Sequence, residues 1–429
     1  MQDDFAVTLS MGREDRSSDL LTPVRSRVEL LILVVLVIAL ALFFDFTNGF
    51  HDTANAMATP IATGAIKPKT AVALAAVLNL IGAFLSTEVA KTISGGLINE
   101  GDGGVHITPQ LILAGLIGAI VWNMITWIYG LPSSSSHALF GGLIGAAVVG
   151  AGLHAVNFSV VLSKVIIPAI AAPLIAGTSA YVCTRLAYSI TRRYANANRR
   201  GAFKYGQVFS SSLVALAHGT NDAQKTMGVI TLLLISAQMQ EPGTGPHFWV
   251  IATCAFAIAI GTYLGGWRII DTLGTKLTEV RPAQGLSAET STAAAILASS
   301  HLGFALSTTQ VASGSVLGSG LGRKGADVKW STAGKIASGW LFTLPAAGAV
   351  GALAAIVANL GFWGAMVDII VATIVVLWIY LRSRKTAHLV QLSKLDTVGE
   401  AVGIRGRRAK RKAKKQAKQQ AQQTEGGNR

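Results

Sequence analysis

Charge is scarce in this chain. Asp, Glu, Lys and Arg make up 13% of its 429 residues while 51% are hydrophobic, where a soluble domain carries about 25% charged residues. That balance excludes a string of soluble domains and points to an integral membrane protein. Long polar stretches are missing too. Apolar blocks near 28–50, 70–90, 109–131, 138–156, 158–189, 206–238, 248–270, 288–306, 331–359 and 360–382 fill most of the sequence. Many approach the roughly 20 residues that cross a bilayer as a helix. The blocks do not alternate apolar with polar residues, which excludes the strands of a membrane barrel.

Cysteine is nearly absent. Cys183 and Cys254 both lie inside apolar blocks, so neither a disulfide framework nor a resident metal site is expected. No Walker A segment is present, which argues against transport driven directly by ATP. The start of the chain, "MQDDFAVTLSMGREDRSSDL", mixes charges ahead of a long apolar run and does not read as a cleaved signal peptide.

Glycine is plentiful, at 46 residues, as suits membrane helices that pack backbone to backbone. The net charge of +15 belongs mostly to one tail: residues 382–429 hold 14 Lys and Arg against 3 Asp and Glu. Such a tail predicts cytoplasmic retention and attraction to anionic lipid headgroups, and no nucleic acid partner is expected. The loop "TRRYANANRRGAFK" carries Arg192, Arg193, Arg199, Arg200 and Lys204 without an acid, so it too is placed in the cytoplasm. Lys67, Lys69, the stretch 268–281, Arg323, Lys324 and Lys329 join it there. "NEGDGGVH" (99–106) and "QEPGTGPH" (240–247) lack Lys and Arg and are placed outside. Counting crossings predicts a multi-pass cell-membrane protein with its amino terminus outside and its carboxyl terminus in the cytoplasm.

The chain repeats itself. "GFHDTANAMA" from Gly49 returns as "GTNDAQKTMG" from Gly219, aligning Asp52 with Asp222. "SSSHALFGG" from Ser134 returns as "STTQVASGS" from Ser307. The first pair of elements is 85 residues apart (Asp52 to His137) and the second 88 (Asp222 to Gln310). With the charge-based topology the two copies run in opposite directions, an arrangement characteristic of secondary transporters. The expected fold is an all-α polytopic membrane protein of about 10–12 transmembrane or half-spanning helices in two inverted repeats with broken or re-entrant segments. Its segments are a polar stretch 1–27, a first repeat 28–190, the basic loop 191–204, a second repeat 205–359, an additional helix 360–382 and the basic tail 383–429.

An aspartate survives in lipid only beside a partner, a cation or water, and each repeat carries one. On a helix Asn48, Asp52 and Asn55 share a face, as do Asp222 and Lys225. Their carboxylate and amide oxygens can ligate a small cation, while Lys225 and amide donors suit an oxyanion. "PSSSSHALFGG" and "LSTTQVASGS" place hydroxyls beside Pro132, Gly141, Gly142 and Gly314, which reads as breaks lining a polar cavity. Free N–H groups and hydroxyls at the start of a half-helix suit a tetrahedral oxyanion. Ser136 beside His137 also admits an intramembrane hydrolase, although the second copy replaces that histidine with Gln310.

"GFHDTANA", "HGTNDAQK", "LPSSSSHALFGG" and "LSTTQVASGS" together resemble the paired signatures of the inorganic phosphate transporter (Pit) family, over about Leu30 to Tyr380. The resemblance implies a secondary transporter that moves inorganic phosphate with protons or sodium, in bacterial members often as a complex with a divalent metal, and not an enzyme with catalytic residues. By matching position it implies Asn55, Ser134, Ser135, Ser136, Gln224, Lys225, Ser307, Thr308 and Thr309 as substrate ligands. Asp52, Asp222, His51, Asn48 and Asn221 become the candidates for cation or proton coupling. Many sodium-coupled relatives have Asn in place of His51 and a carboxylate where this chain offers Asn79, so the sequence looks closer to the proton-coupled bacterial branch; Glu88 and Glu289 are further candidate carboxylates. A sulfate permease of the same fold stays open, as does a second copy of the chain as a partner.

Overall fold

Backbone in lipid must satisfy its own hydrogen bonds, and apolar sequence does so as helix. The computed structural model describes residues 15–96, 107–192 and 199–401, with side chains over 26–94, 107–191 and 201–383. Among the described residues β pairing is confined to one bridge, Thr278 with Val328. The first 14 residues, the loop 99–106, much of the basic loop at 192–200 and the tail after Ala401 lie outside the described side chains or residues.

α1 (Asp15–Ala62) carries the first apolar run and the Asp52 segment in a single helix. α2 (Pro68–Ala83), with proline in its first turn, meets α3 (Glu88–Gly96) at a 67° bend. α4 (Pro109–Ile128) starts at Thr108, whose hydroxyl accepts from the Leu111 N–H at 3.3 Å, and is followed by α5 (Ser135–Ala151). α6 (Phe158–Val160) passes through a π-helical turn into α7 (Ile167–Arg192). The second half repeats the order. α8 (Arg199–Ser236) carries Asp222, and α9 (Phe248–Leu264) bends by 58° into α10 (Trp267–Asp271) and the turn after it. α11 (Pro282–His301), α12 (Thr308–Gly322), α13 (Trp330–Ala358) and α14 (Phe362–Ala401) complete the described residues.

Among the described residues five helices are long and apolar enough to cross a membrane, or up to seven if each bent pair is one span. α8 and α11 fall below that apolarity because they carry buried polar side chains such as Asp222, Lys225 and Glu289. α5 and α12, at 17 and 15 residues, are shorter than a full crossing.

Reciprocal packing joins the halves. α1 crosses α9 and α8 crosses α2. A Cβ on Gly49 would stand 2.2 Å from the Ile258 carbonyl oxygen, and one on Gly219 would stand 2.2 Å from the Asn79 carbonyl oxygen. The glycine that opens each aspartate motif is therefore a point of backbone contact. α5 likewise packs on α13 through Gly141 and Gly145, and α12 on α7 through Gly314 and Gly318. Gly141, Gly142 and Gly314 thus lie inside helices as contact positions and do not break them. The breaks fall just ahead, at residues 129–134 and 302–307.

Several loops that charge assigns to one side do meet. Lys204 donates to the Gly64 carbonyl at 3.3 Å, and Arg323 pairs with Glu279 at 3.0 Å beside the Thr278–Val328 bridge. The Arg323 guanidinium holds the Glu279 carboxyl below the usual carboxylate range.

Candidate functional site

Asp45, Asn48, Asp52, Asn55 and Thr59 are spaced three and four apart on α1, so they form one stripe along the helix, and all are buried. On α8 the corresponding buried residues are His218, Asn221, Asp222 and Lys225. The starts of α5 and α12 close on these two stripes.

Asp52 is the centre of one half of the site. Its Oδ1 lies 2.8 Å from His51 Nδ1 and accepts from the Thr309 hydroxyl at 3.0 Å. Its Oδ2 accepts from Ser135 at 3.2 Å and from Thr308 at 3.3 Å. The same Thr308 hydroxyl is 2.8 Å from Asp222 Oδ2, so it stands between the two aspartates. Asn55 donates to Thr308 and Thr309 at 3.3 and 3.1 Å.

Asp222 is the centre of the other half. It is ion-paired with Lys225, accepts from Asn221 at 3.1 Å and lies 2.8 Å from His218 Nε2. Lys225 is completely buried and also donates to the Ser136 hydroxyl at 2.5 Å and the Leu306 carbonyl at 3.1 Å. Asn221 and Ser136 donate to that same carbonyl at 3.0 and 3.2 Å. A buried ammonium persists only when paired in this way.

The other expected residues divide. Ser134 and Ser307 cap α5 and α12, their hydroxyls accepting from the His137 and Gln310 N–H groups at 3.1 and 3.3 Å. The caps hold the two helix starts, with their free N–H groups, at the site. Gln224 turns elsewhere: its Oε1 accepts from the Val89 and Ala90 N–H groups at 2.7 and 3.3 Å, and its Nε2 donates to the Thr220 carbonyl. It anchors the start of α3. Asn48 is buried with neither polar atom hydrogen-bonded. His51 Nε2 is 3.5 Å from Ser133.

Sequence reasoning passed over His218, which bridges Asp222 to the Asn79 amide oxygen at 3.2 Å. A signal for it exists, since His218 precedes Asp222 by one helical turn as Asn48 precedes Asp52. It also passed over the setting of Glu289, which accepts from Thr59, from Gln207 at 3.2 Å and from Ser210 at 2.7 Å. Oxygens of Asp52 and Asp222 and a ring nitrogen of His218 lie within 4.8 Å of one another. Such a donor set suits a divalent cation, although the two cysteines, both inside apolar blocks, point to no resident metal.

Residues 48–351 match the model of a family described as "Phosphate transporter family". The chain is 55% identical over 358 residues to a "Probable low-affinity inorganic phosphate transporter" of Mycobacterium leprae, covering 83% of this chain and 86% of that one. It is 42% identical over 333 residues to a protein of the same description from Bacillus subtilis, covering 78% and 99%. A solved structure described as "The sodium-dependent phosphate transporter" superposes with a TM-score of 0.65 at 24% identity, covering 77% of this chain and 99% of the other. At that identity the likeness shows a shared fold.

Proposed function

Because the chain belongs to the phosphate transporter family, we propose that it is a low-affinity secondary transporter of inorganic phosphate. It works by alternating access and symports a cation, the proton in preference to sodium. The observation that carries this reading is the meeting of two buried aspartates with donors from all four repeated segments: Ser135 and Ser136, Thr308 and Thr309, Asn55, and Lys225. Ser134, Ser307 and the helix starts they cap add N–H donors for a tetrahedral anion.

The carboxylates favour phosphate over sulfate. Near neutral pH phosphate keeps at least one O–H, which can donate to Asp52 or Asp222, whereas sulfate has none and meets only repulsion from them. The Asp52, His218 and Asp222 atoms can accept a divalent metal travelling with the phosphate as cargo. His51, beside Asp52, is placed to relay a proton. The matched order of elements and their reciprocal crossings support two repeats exchanging access around this centre.

The family and the named relatives are transporters, so no catalytic residue is assigned. Ser136 lies against Lys225, and that lysine is committed to Asp222 and the Leu306 carbonyl.

The test is uptake of labelled phosphate into proteoliposomes with an imposed proton or sodium gradient, with and without excess sulfate. Uptake driven by the proton gradient and unaffected by sulfate is expected. Transport that sulfate abolishes, or that follows sodium alone, overturns the corresponding part.

A further inference from the structure

Asp45 takes part in none of the interactions described above. It sits on the α1 stripe seven residues before Asp52, about 10 Å along the helix axis. It is fully buried, and neither carboxyl oxygen has a hydrogen-bond partner. Asn48, between the two aspartates, is equally buried and has both polar atoms unpartnered. On α8 Thr226 neighbours the Asp45 carboxyl, and its buried hydroxyl likewise has no hydrogen-bond partner. Two helices therefore bring three buried polar side chains together with their hydrogen-bonding capacity unused.

The titratable and charged groups that face Asp45 are His218, Asp222 and Lys225 on α8 and Cys254 on α9. Lys225 and His218 are held by Asp222, so neither serves as a counter-ion for Asp45. A carboxylate in a membrane interior without a partner needs a cation or a proton. A structural carboxylate would have kept a donor, as Asp52, Asp222 and Glu289 each do.

We propose that Asp45 carries the coupling proton, with the Asn48 amide and the Thr226 hydroxyl as its hydrogen-bond partners when loaded. This rests on the reading of the chain as a proton-coupled phosphate transporter. The separation along α1 lets a proton on Asp45 and a phosphate at Asp52 and Asp222 be bound together without competing for one oxygen. In each cycle one O–H bond forms on an Asp45 oxygen with a proton from one side of the membrane. As it forms, one O–H bond of a hydronium on that side breaks and leaves water. On the other side the Asp45 O–H bond breaks and the proton is taken up by a water, with no change of oxidation state. Carriage of the proton one helical level away from the substrate keeps Asp52 free as a ligand.

Wild type and Asp45→Asn are reconstituted and read in two ways: exchange of labelled phosphate at equal pH, and accumulation driven by a pH gradient. The variant is expected to keep exchange and lose pH-driven accumulation. Undiminished accumulation in the variant overturns the proposal, as does retained pH-driven uptake with loss of a sodium dependence. If the variant does not exchange phosphate, the infrared spectra of the two purified proteins decide. The carbonyl band of a protonated carboxylic acid, present in wild type and missing in the variant, upholds the assignment, and its persistence in the variant overturns it. A wild type that neither exchanges nor accumulates phosphate defeats the transport reading instead, and the infrared comparison still tests Asp45.

Discussion

Lys225 Nζ lies 2.5 Å from the Ser136 hydroxyl, tying α8 to the start of α5 across the two halves of the chain. The same ammonium holds Asp222 and reaches the Leu306 carbonyl just ahead of α12. One side chain thus touches three of the four repeated segments, and its removal should be felt in all of them.

Lys225→Met strands Asp222 without its ammonium partner, which is expected to cost about 3–5 kcal/mol of stability. Adding Asp222→Asn should recover most of that loss, because the stranded charge is gone, while phosphate uptake stays abolished. Thermal unfolding of wild type and the two purified variants, with uptake into vesicles, checks both parts. A single variant as stable as wild type would show that the pair is not structurally coupled.

Asp52→Asn keeps the shape of the side chain but replaces one acceptor oxygen with a donor, against His51, Ser135, Thr308 and Thr309. Phosphate uptake is expected to fall at least about tenfold, the loss of one or more charge-assisted hydrogen bonds, with membrane insertion unchanged. Wild-type rates of uptake would remove Asp52 from the site.

Ser135→Ala and Thr308→Val each delete one hydroxyl from opposite repeats. If both grip one phosphate, each should weaken binding by roughly 1.5–3 kcal/mol, a tenfold to hundredfold rise in the half-saturating concentration. Initial uptake against phosphate concentration measures it. Unchanged half-saturation in both would move the substrate elsewhere.

Gln224→Leu provides the contrast. Its loss leaves the Val89 and Ala90 N–H groups without their acceptor, so stability should fall by about 1–3 kcal/mol while the half-saturating phosphate concentration is preserved. A change in half-saturation with unaltered unfolding would return Gln224 to the ligands.

Much of this was legible because it is local. Asn48, Asp52 and Asn55 share a face by arithmetic alone, and duplication ties Asp52 to Asp222 and Ser134 to Ser307. What decided Gln224 is not local: its neighbours on α8 face the centre, and the start of α3 drew its amide away. Gly141 and Gly314 read equally well as breaks or as contacts until a partner helix is in place. His218 opens "HGTNDAQK" one helical turn before Asp222, and Asp45 stands one turn ahead of "GFHDTANA". A polar residue at the edge of an apolar run reads as incidental until a partner helix faces it.

The exchange of helices between halves also dictates an order of events during synthesis. α5 rests on α13, and α13 leaves the ribosome some two hundred residues after it. For that interval Gly141 and Gly145 have no backbone to meet, and the Ser135 and Ser136 hydroxyls wait in an unfinished wall. α12, by contrast, emerges to find α7 already made. The two halves, alike in sequence, therefore mature unequally: the earlier copy is the dependent one, and a chain truncated before Trp330 would lack the surface that shelters its first hydroxyl helix.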